Sequence, residues 1–366
     1  MKRLLRKFIS FYLARKERNQ YLYEMVRLDK KLEKFCEENQ VSMLPEHEHQ
    51  IIQAFWKPYI HYDVAPYYYS MLNCFTYKNP IYQAVNESIM FNCIVRKLNP
   101  LEAARVLANK GMYSLYFHDV HRPHEFFRNC NDVLYNQNNQ ITSVAEMIEY
   151  LLDEKPNFII KPSVDSHGGR NVRVFTNYNE QDLKTLFEQY THDFVIQKLV
   201  NQSAQTKIIN PTSLNTFRII TLLLNGKVTV LSSILRCGGK DSLVDNATSG
   251  GMFIGIDSNG VLSRGTSFKR LLIEESAVGF KFANHKIHHF DRVLELAKQL
   301  HTRIPLCAFA GWDIALDENN QPIFIEVNLN KPDIWLMQVL NGPIFGDRFD
   351  EVMDYCFQCN KQSDIQ

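Results

Sequence analysis

Two long apolar, β-branched runs meet at Asn225-Gly226 in NTFRIITLLLNGKVTVLSSILRC. This stretch constrains the fold more than any other. An Asn-Gly pair tolerates the two positive-φ positions of a two-residue hairpin and so sets the register of both flanking strands. The middle of the chain is therefore committed to an antiparallel sheet. A second hairpin is legible in CAFAGWDIALDENNQPIFIEVN, turning near Asn319 and Asn320. NFIIKP, VRVF and DFVIQKLV read as short strands. NEQDLKTLFEQY reads as an amphipathic helix capped by Asn179, and HHFDRVLELAKQLHTRI as another helix. Strands that pair antiparallel and alternate with helices define a mixed α+β fold class.

The first half differs in character. MKRLLRKFISFYLARKERNQ puts Leu4, Leu5, Phe8, Ile9 and Tyr12 on one stripe, with Lys2, Arg3, Arg6 and Lys7 away from it. Such a basic amphipathic helix suits an anionic membrane surface or a protein partner, and it equally suits packing on the body of the protein. Residues 46–108 are aromatic-rich and mostly helical in pattern, densest at APYYYSMLNCF. LNPLEAARVLANKG predicts a helix running to Gly111, with Asn99 as N-cap and Pro100 in the first turn. The expected organisation is a helical region over 1–100, a connecting segment over 101–155, an α+β segment over 156–210, a second over 211–350 and a tail over 351–366.

Bulk properties exclude several classes. A net charge of +1 over 366 residues gives no basic footprint, so nucleic acid is not an expected partner. The eight cysteines are scattered apart from Cys356 and Cys359, which lack a second pair to complete a zinc site. Free thiols in a reducing cytoplasm are expected, and apolar runs such as IITLLL are too short to span a bilayer. His118, His121 and His124 have a zinc-like spacing, but Pro123 argues against one helix presenting them together. His285, His288 and His289 are expected at a helix start, and Trp312 and Trp335 in packing.

The chemistry sits in the second half. In IFIEVNLNKPD, residues two apart on a strand share a face, so Glu326 and Asn328 should project together with Phe324 behind them. Pairing across the hairpin would bring Asp313 close. Carboxylate and carbonyl oxygens grouped this way suit Mg²⁺, which commonly bridges nucleotide phosphates. Upstream, Lys161 ends a strand, and the loop from Ser163 to Arg170 contains Gly168 and Gly169. Glycines let backbone N–H groups approach phosphate oxygens, and lysine supplies a point charge.

The order of Lys161, the glycine loop, VIQKLV, NTFRI, Asp313 and IEVN resembles the ATP-grasp fold, in which two α+β subdomains clasp ATP. NTFRIIT, DNATSGGMFIGID and AGWDIA…FIEVNLNKPD resemble more specifically the sugar-transfer-associated ATP-grasp proteins, found with bacterial capsule and surface-polysaccharide genes. That resemblance covers roughly residues 105–345 and implies an N-terminal helical extension before the fold. It implies ATP and Mg²⁺ as cofactors and assigns roles by position. Lys161 and Lys110 would bind phosphates, and Ser166, His167, Gly168 and Gly169 would form the loop over them. Gln197, Lys198 and Leu199 would form the adenine-reading hinge, although Lys198 stands where many relatives carry an acidic residue. Arg218 would face the transferred phosphoryl group or the bound acid. Arg236 and Asn246 would lie on the acceptor side. Asp313, Glu326 and Asn328 would hold the metal, and Asp333 would support the site or cap a loop. The implied enzyme is a carboxylate–amine ligase of surface-polysaccharide synthesis, acting on a small carboxylate and an amine or sugar. It would be cytoplasmic or peripheral at the inner membrane face, with residues 1–20 available to a membrane or a glycosyltransferase. A sugar kinase on the same fold and a non-catalytic nucleotide-binding subunit remain open.

Overall fold

The computed structural model describes residues 27–60, 62–164, 171–239, 250–332 and 334–357. The expected basic helix over 1–20, the loop residues Ser166, His167, Gly168 and Gly169, Asn246, Asp333 and Cys359 lie outside the described residues. The chain divides into two compact units. One comprises Met1–Leu98, Lys269–Leu271 and Asp333–Gln366, and the other Asn99–Phe268 and Leu272–Pro332.

The first unit is helical, as the aromatic-rich pattern predicts. Its helices include Glu46–Trp56, Pro66–Leu72, Trp335–Asn341 and Phe349–Phe357. The APYYYSMLNCF segment is dense because Tyr68 and Tyr69 are core residues, fully enclosed with Trp56. Gln338 is buried among them, and its amide donates to Tyr68 Oη at 2.6 Å and Val85 O at 2.8 Å. A buried amide satisfied in this way ties two helices together without a desolvation penalty.

The second unit is built on two antiparallel sheets. The first contains β1 (Glu125–Cys130), β2 (Val133–Asn136), β3 (Phe158–Pro162), β4 (Arg173–Phe175) and β5 (Phe194–Lys198), in the order β2-β1-β5-β3-β4. The second contains β6 (Thr216–Leu224), β7 (Lys227–Cys237), β8 (Met252–Ile256), β9 (Leu262–Thr266), β10 (Phe309–Leu316) and β11 (Pro322–Asn328), in the order β11-β10-β6-β7-β8-β9. The β6–β7 hairpin turns on Asn225 and Gly226, at φ 52° and 70°, as the dipeptide requires.

Each sheet has one apolar face covered by helices. Phe158, Ile160, Phe194 and Ile196 pack against helices Val144–Glu154 and Glu180–Gln189. The first of these helices opens on a capping box between Ser143 and Glu146, the second on one between Asn179 and Asp182. Ile219, Leu235, Trp312, Phe324 and Val327 form the core with helix Phe290–Thr302. Alternation then assigns the opposite face of each sheet to its polar residues.

Two local expectations fail. The helix expected to reach Gly111 spans only Leu101–Leu107, with Pro100 rather than Asn99 at its N-cap. Asn99 is drawn elsewhere: its amide donates to Phe309 O and Leu329 O, both at 2.7 Å, and accepts from Phe309 N at 2.9 Å. Long-range pairing of a buried amide outweighs a local cap. Phe324 does not lie behind Glu326. Asp313 pairs with Glu326 but Ile314 with Phe324, so Ile325 is an extra residue and Phe324 turns into the core.

Candidate active site

Cross-strand register assembles the charged row. Arg218 on β6 lies opposite Asp313 on β10, which lies opposite Glu326 on β11. Asn328 is opposite Gly311 on the same face. Arg236 lies two residues beyond Ile234, the β7 partner of Arg218, and so shares that face. Arg218 and Asp313 form a two-pronged ion pair, with Arg218 Nη2 donating to Asp313 Oδ2 at 3.0 Å and Nε to Oδ1. Arg236 Nη1 also donates to Oδ2, at 2.8 Å, and Arg218 Nη1 donates to Pro332 O at 2.8 Å. Burial pushes the Asp313 carboxyl up, against the pull of Arg218 and Arg236.

Gly311 makes room for this arrangement. A Cβ there would lie 2.9 Å from Pro332 Cβ and 3.3 Å from Arg218 Cδ. A side chain at 311 would displace the arginine or the Pro332 loop.

Lys110 links the second sheet to the first. It opens a 3₁₀ turn, Lys110–Met112, capped by Asn109 through Gly111 N. Its backbone N–H donates to Ser163 O at 2.9 Å, just beyond β3, and its ammonium lies 3.1 Å from Glu326 Oε2. Nearby Tyr113 Oη accepts from Val327 N at 3.1 Å. Burial alone would raise the Glu326 carboxyl, but Lys110, Lys161 and Arg218 hold it well below its ordinary range. Asn328 Nδ2 reaches Glu326 Oε1 at 3.5 Å, which leaves its carbonyl oxygen for another ligand.

Lys161 is different. Ile160 beside it belongs to the helix-covered core, so Lys161 projects from the polar face of the first sheet. It is buried, and among the described residues its ammonium has no hydrogen bond or ion pair. Burial pushes its pKa down to about 8, with Glu326 opposing and Lys110 reinforcing the shift. A buried cation of this kind needs an anion. Gln197, on the same face opposite Ile159, is also buried, and its Oε1 has no hydrogen-bond partner among the described residues. Lys198 is exposed, and Leu199 N donates to Asn157 O.

Sequence reasoning did not single out Glu125 and Arg128. Glu125 pairs with Gln197 and Arg128 with Val195, the partner of Lys161, so both lie on the Lys161 face. Arg128 Nη1 donates to Glu125 Oε1 at 3.1 Å, while its guanidinium covers the Tyr135 ring at 4.6 Å. The available signal was two charges flanking Phe126 and Phe127 in HEFFRNC. The histidines do not converge: His118, His121 and His124 bond separately to Leu115 O, Pro322 O and Gln137 Oε1. Trp312 is fully buried, as a packing residue should be.

The donor set fits a hard cation delivered with an anionic ligand. Asp313, Glu326 and Asn328 offer oxygens. Both carboxylates are already in direct ion pairs with arginine or lysine, and Lys161 has no direct ion pair among the described residues. A divalent cation alone would add to the surplus of positive charge. A polyphosphate would relieve it.

Two antiparallel sheets sharing one cluster of cations and carboxylates describe the ATP-grasp class. This chain belongs to the sugar-transfer associated ATP-grasp family, whose profile matches residues 92–353. Among solved structures it is similar to D-alanyl-alanine synthetase A from Vibrio cholerae, at 14% identity and a TM-score of 0.43, over 70% of this chain and 67% of that one. It is similar to the ATP-grasp ligase PsnB complexed with minimal precursor, at 11% identity and a TM-score of 0.41, over 70% of this chain and 64% of that one. It is also similar to carboxyaminoimidazole ribonucleotide synthase from Aspergillus clavatus complexed with ATP, at 10% identity and a TM-score of 0.38, over 62% of this chain and 46% of that one. Among curated proteins, none matches the sequence.

Proposed function

We propose that this protein is an ATP-dependent carboxylate–amine ligase acting in the synthesis or modification of a cell-surface polysaccharide. The carrying observation is Lys161, a buried ammonium that makes no hydrogen bond or ion pair among the described residues and stands beside the Lys110–Glu326 pair. A triphosphate supplies what that cluster lacks.

A free carboxylate cannot expel oxide. In the proposed reaction its oxygen attacks the γ-phosphorus, the bond to the β-phosphate oxygen breaks, and ADP leaves. The acyl phosphate is then attacked by the amine nitrogen, which forms the C–N bond and loses a proton as phosphate departs. Charge on the moving phosphoryl group would be neutralised by Lys161, Lys110 and Arg218. Arg236, beside Arg218 on Asp313, would orient the acid. Glu326, Asn328 and Asp313 would hold Mg²⁺, which would supply positive charge at the transferred phosphate. Gln197 Oε1, lacking a partner among the described residues, suits an exocyclic amine of the base, with Lys198 and Leu199 completing the hinge. The loop roles of Ser166, His167, Gly168 and Gly169, and the acceptor role of Asn246, rest on the family resemblance.

Among the described residues no helix is long and apolar enough to cross a membrane. A cytoplasmic location, with residues 1–20 resting on a membrane face or a glycosyltransferase, belongs to the same proposal.

The test is ADP release by the purified protein with Mg²⁺-ATP, hydroxylamine and a panel of amino acids, uronic acids and amino sugars. ADP release with hydroxamate, dependent on one acid, is expected. ADP release dependent on a sugar without hydroxamate would establish a kinase instead. Glu326→Gln should abolish turnover more than nucleotide binding, and unchanged turnover would remove Glu326 from the metal set.

A further inference from the structure

A cavity of about 340 Å³ opens on the helix-covered side of the first sheet, between the loop after β2 and helix Val144–Glu154. Phe126, Phe127 and Tyr150 line it, and the Tyr150 ring meets Phe127 edge-on at 5.3 Å. Phe126 and Phe127 belong to the core on the face opposite Lys161. Nothing in the proposed ligase chemistry uses this cavity.

Its rim is made of side-chain amides from the run NQNNQ. Asn136 Oδ1 accepts from the backbone N–H groups of Asn138 and Gln140, at 3.0 and 3.1 Å, which pins the loop. Gln137 Oε1 bonds to His124 Nε2 at 2.8 Å, which orients its NH₂ group. The Asn138 side chain is exposed and makes no hydrogen bond among the described residues. Glu146 spends Oε2 on its capping box and keeps Oε1 available. Ile141, 77% exposed, adds an apolar lip. Among the described residues, no lysine or arginine lines the cavity.

We propose that this cavity binds a neutral saccharide. A sugar ring carries an apolar C–H face and an edge of hydroxyls that both donate and accept. The half-buried Tyr150 ring, backed by the buried Phe126 and Phe127, matches the face. The Gln137 NH₂ group offers donors, and the Asn138 amide offers a carbonyl acceptor and two N–H donors in one plane, which matches neighbouring hydroxyls. The volume lies at the low end for small-molecule sites, appropriate to one or two sugar rings. Glu146, the one charged residue among the described residues lining the cavity, disfavours phosphate and uronate, so a nucleotide belongs elsewhere. The pinned amides reduce the ordering cost of binding. The proposal does not depend on the ligase reading.

Saturation-transfer NMR and calorimetry on the full chain test it. The panel is glucose, galactose, N-acetylglucosamine, N-acetylgalactosamine, rhamnose and their short oligomers, with glucuronate and glucose 6-phosphate as anionic arms. Saturable binding of at least one neutral sugar is expected, undisturbed by saturating AMP-PNP. The Gln137→Ala/Asn138→Ala double variant, altered only at exposed positions, should melt like the parent and bind about tenfold or more weakly. Tighter binding of an oligomer would support the site and set its length. No saturable neutral binding at millimolar concentration overturns the proposal. So does equal or better anionic binding, displacement by AMP-PNP, or unchanged affinity in the double variant.

Discussion

Lys161 sets the terms at the residue scale. Burial lowers its pKa from 10.5 to about 8, so between these values the unfolded chain holds a proton that the folded chain has lost. Stability therefore rises with pH across that window, and at neutral pH the charged amine costs about 3 kcal/mol. Lys161→Met should raise the melting temperature while nucleotide affinity collapses. In the parent, nucleotide affinity should fall as pH rises through about 8, where the ammonium discharges. Urea titrations and nucleotide calorimetry from pH 7 to pH 9.5 check both halves, and a less stable Lys161→Met protein would refute the first. The placement of Lys161 at a strand end was legible in NFIIKP. Its lack of a direct ion pair was not, because that depends on which carboxylates the other sheet commits elsewhere.

Elements decide which side chains share a face. The β6–β7 hairpin and the Asn179 cap were legible because their signals are local. The extra residue at Ile325 was not, because a bulge arises from competition between core packing of Phe324 and pairing of Glu326 with Asp313. Glycine substitutions separate structure from function here. At Gly226 nothing lies within 4 Å of an added Cβ, and only the positive φ of 70° is disfavoured. Gly226→Ala should cost about 1 kcal/mol and leave turnover intact. At Gly311 the added methyl meets Pro332 and Arg218. Gly311→Ala should cost about 1–3 kcal/mol and also lower turnover, since the Pro332 loop that accepts from Arg218, or Arg218 itself, must shift. Denaturation and ADP-release assays on both variants make the comparison, and full activity in Gly311→Ala would free the site from this constraint.

At the scale of the whole molecule, acid stability has an identifiable contributor. His301 is buried between Thr221 Oγ1 at 2.6 Å and Cys307 O at 2.9 Å, and burial pushes its pKa from 6.5 down to about 4. The unfolded chain takes up this proton first, so the contribution is complete above pH 6.5 and is lost as pH falls toward 4. About 3 kcal/mol should disappear over that window. Urea unfolding at pH 7 and pH 4.5 should show a smaller drop for His301→Gln than for the parent, and equal drops would contradict the assignment. The sequence by itself determined the α+β class, both hairpins, the Asn179 cap and the residue types able to meet phosphate and Mg²⁺, because turn chemistry and periodicity act over a few residues. The tertiary structure alone decided that Asn99 reaches Phe309 and Leu329, that Asp313 is claimed by two arginines, and that Lys161 stands beside Glu326. Those outcomes join residues 77 to 230 positions apart, where burial and charge balance, not local propensity, choose the partners.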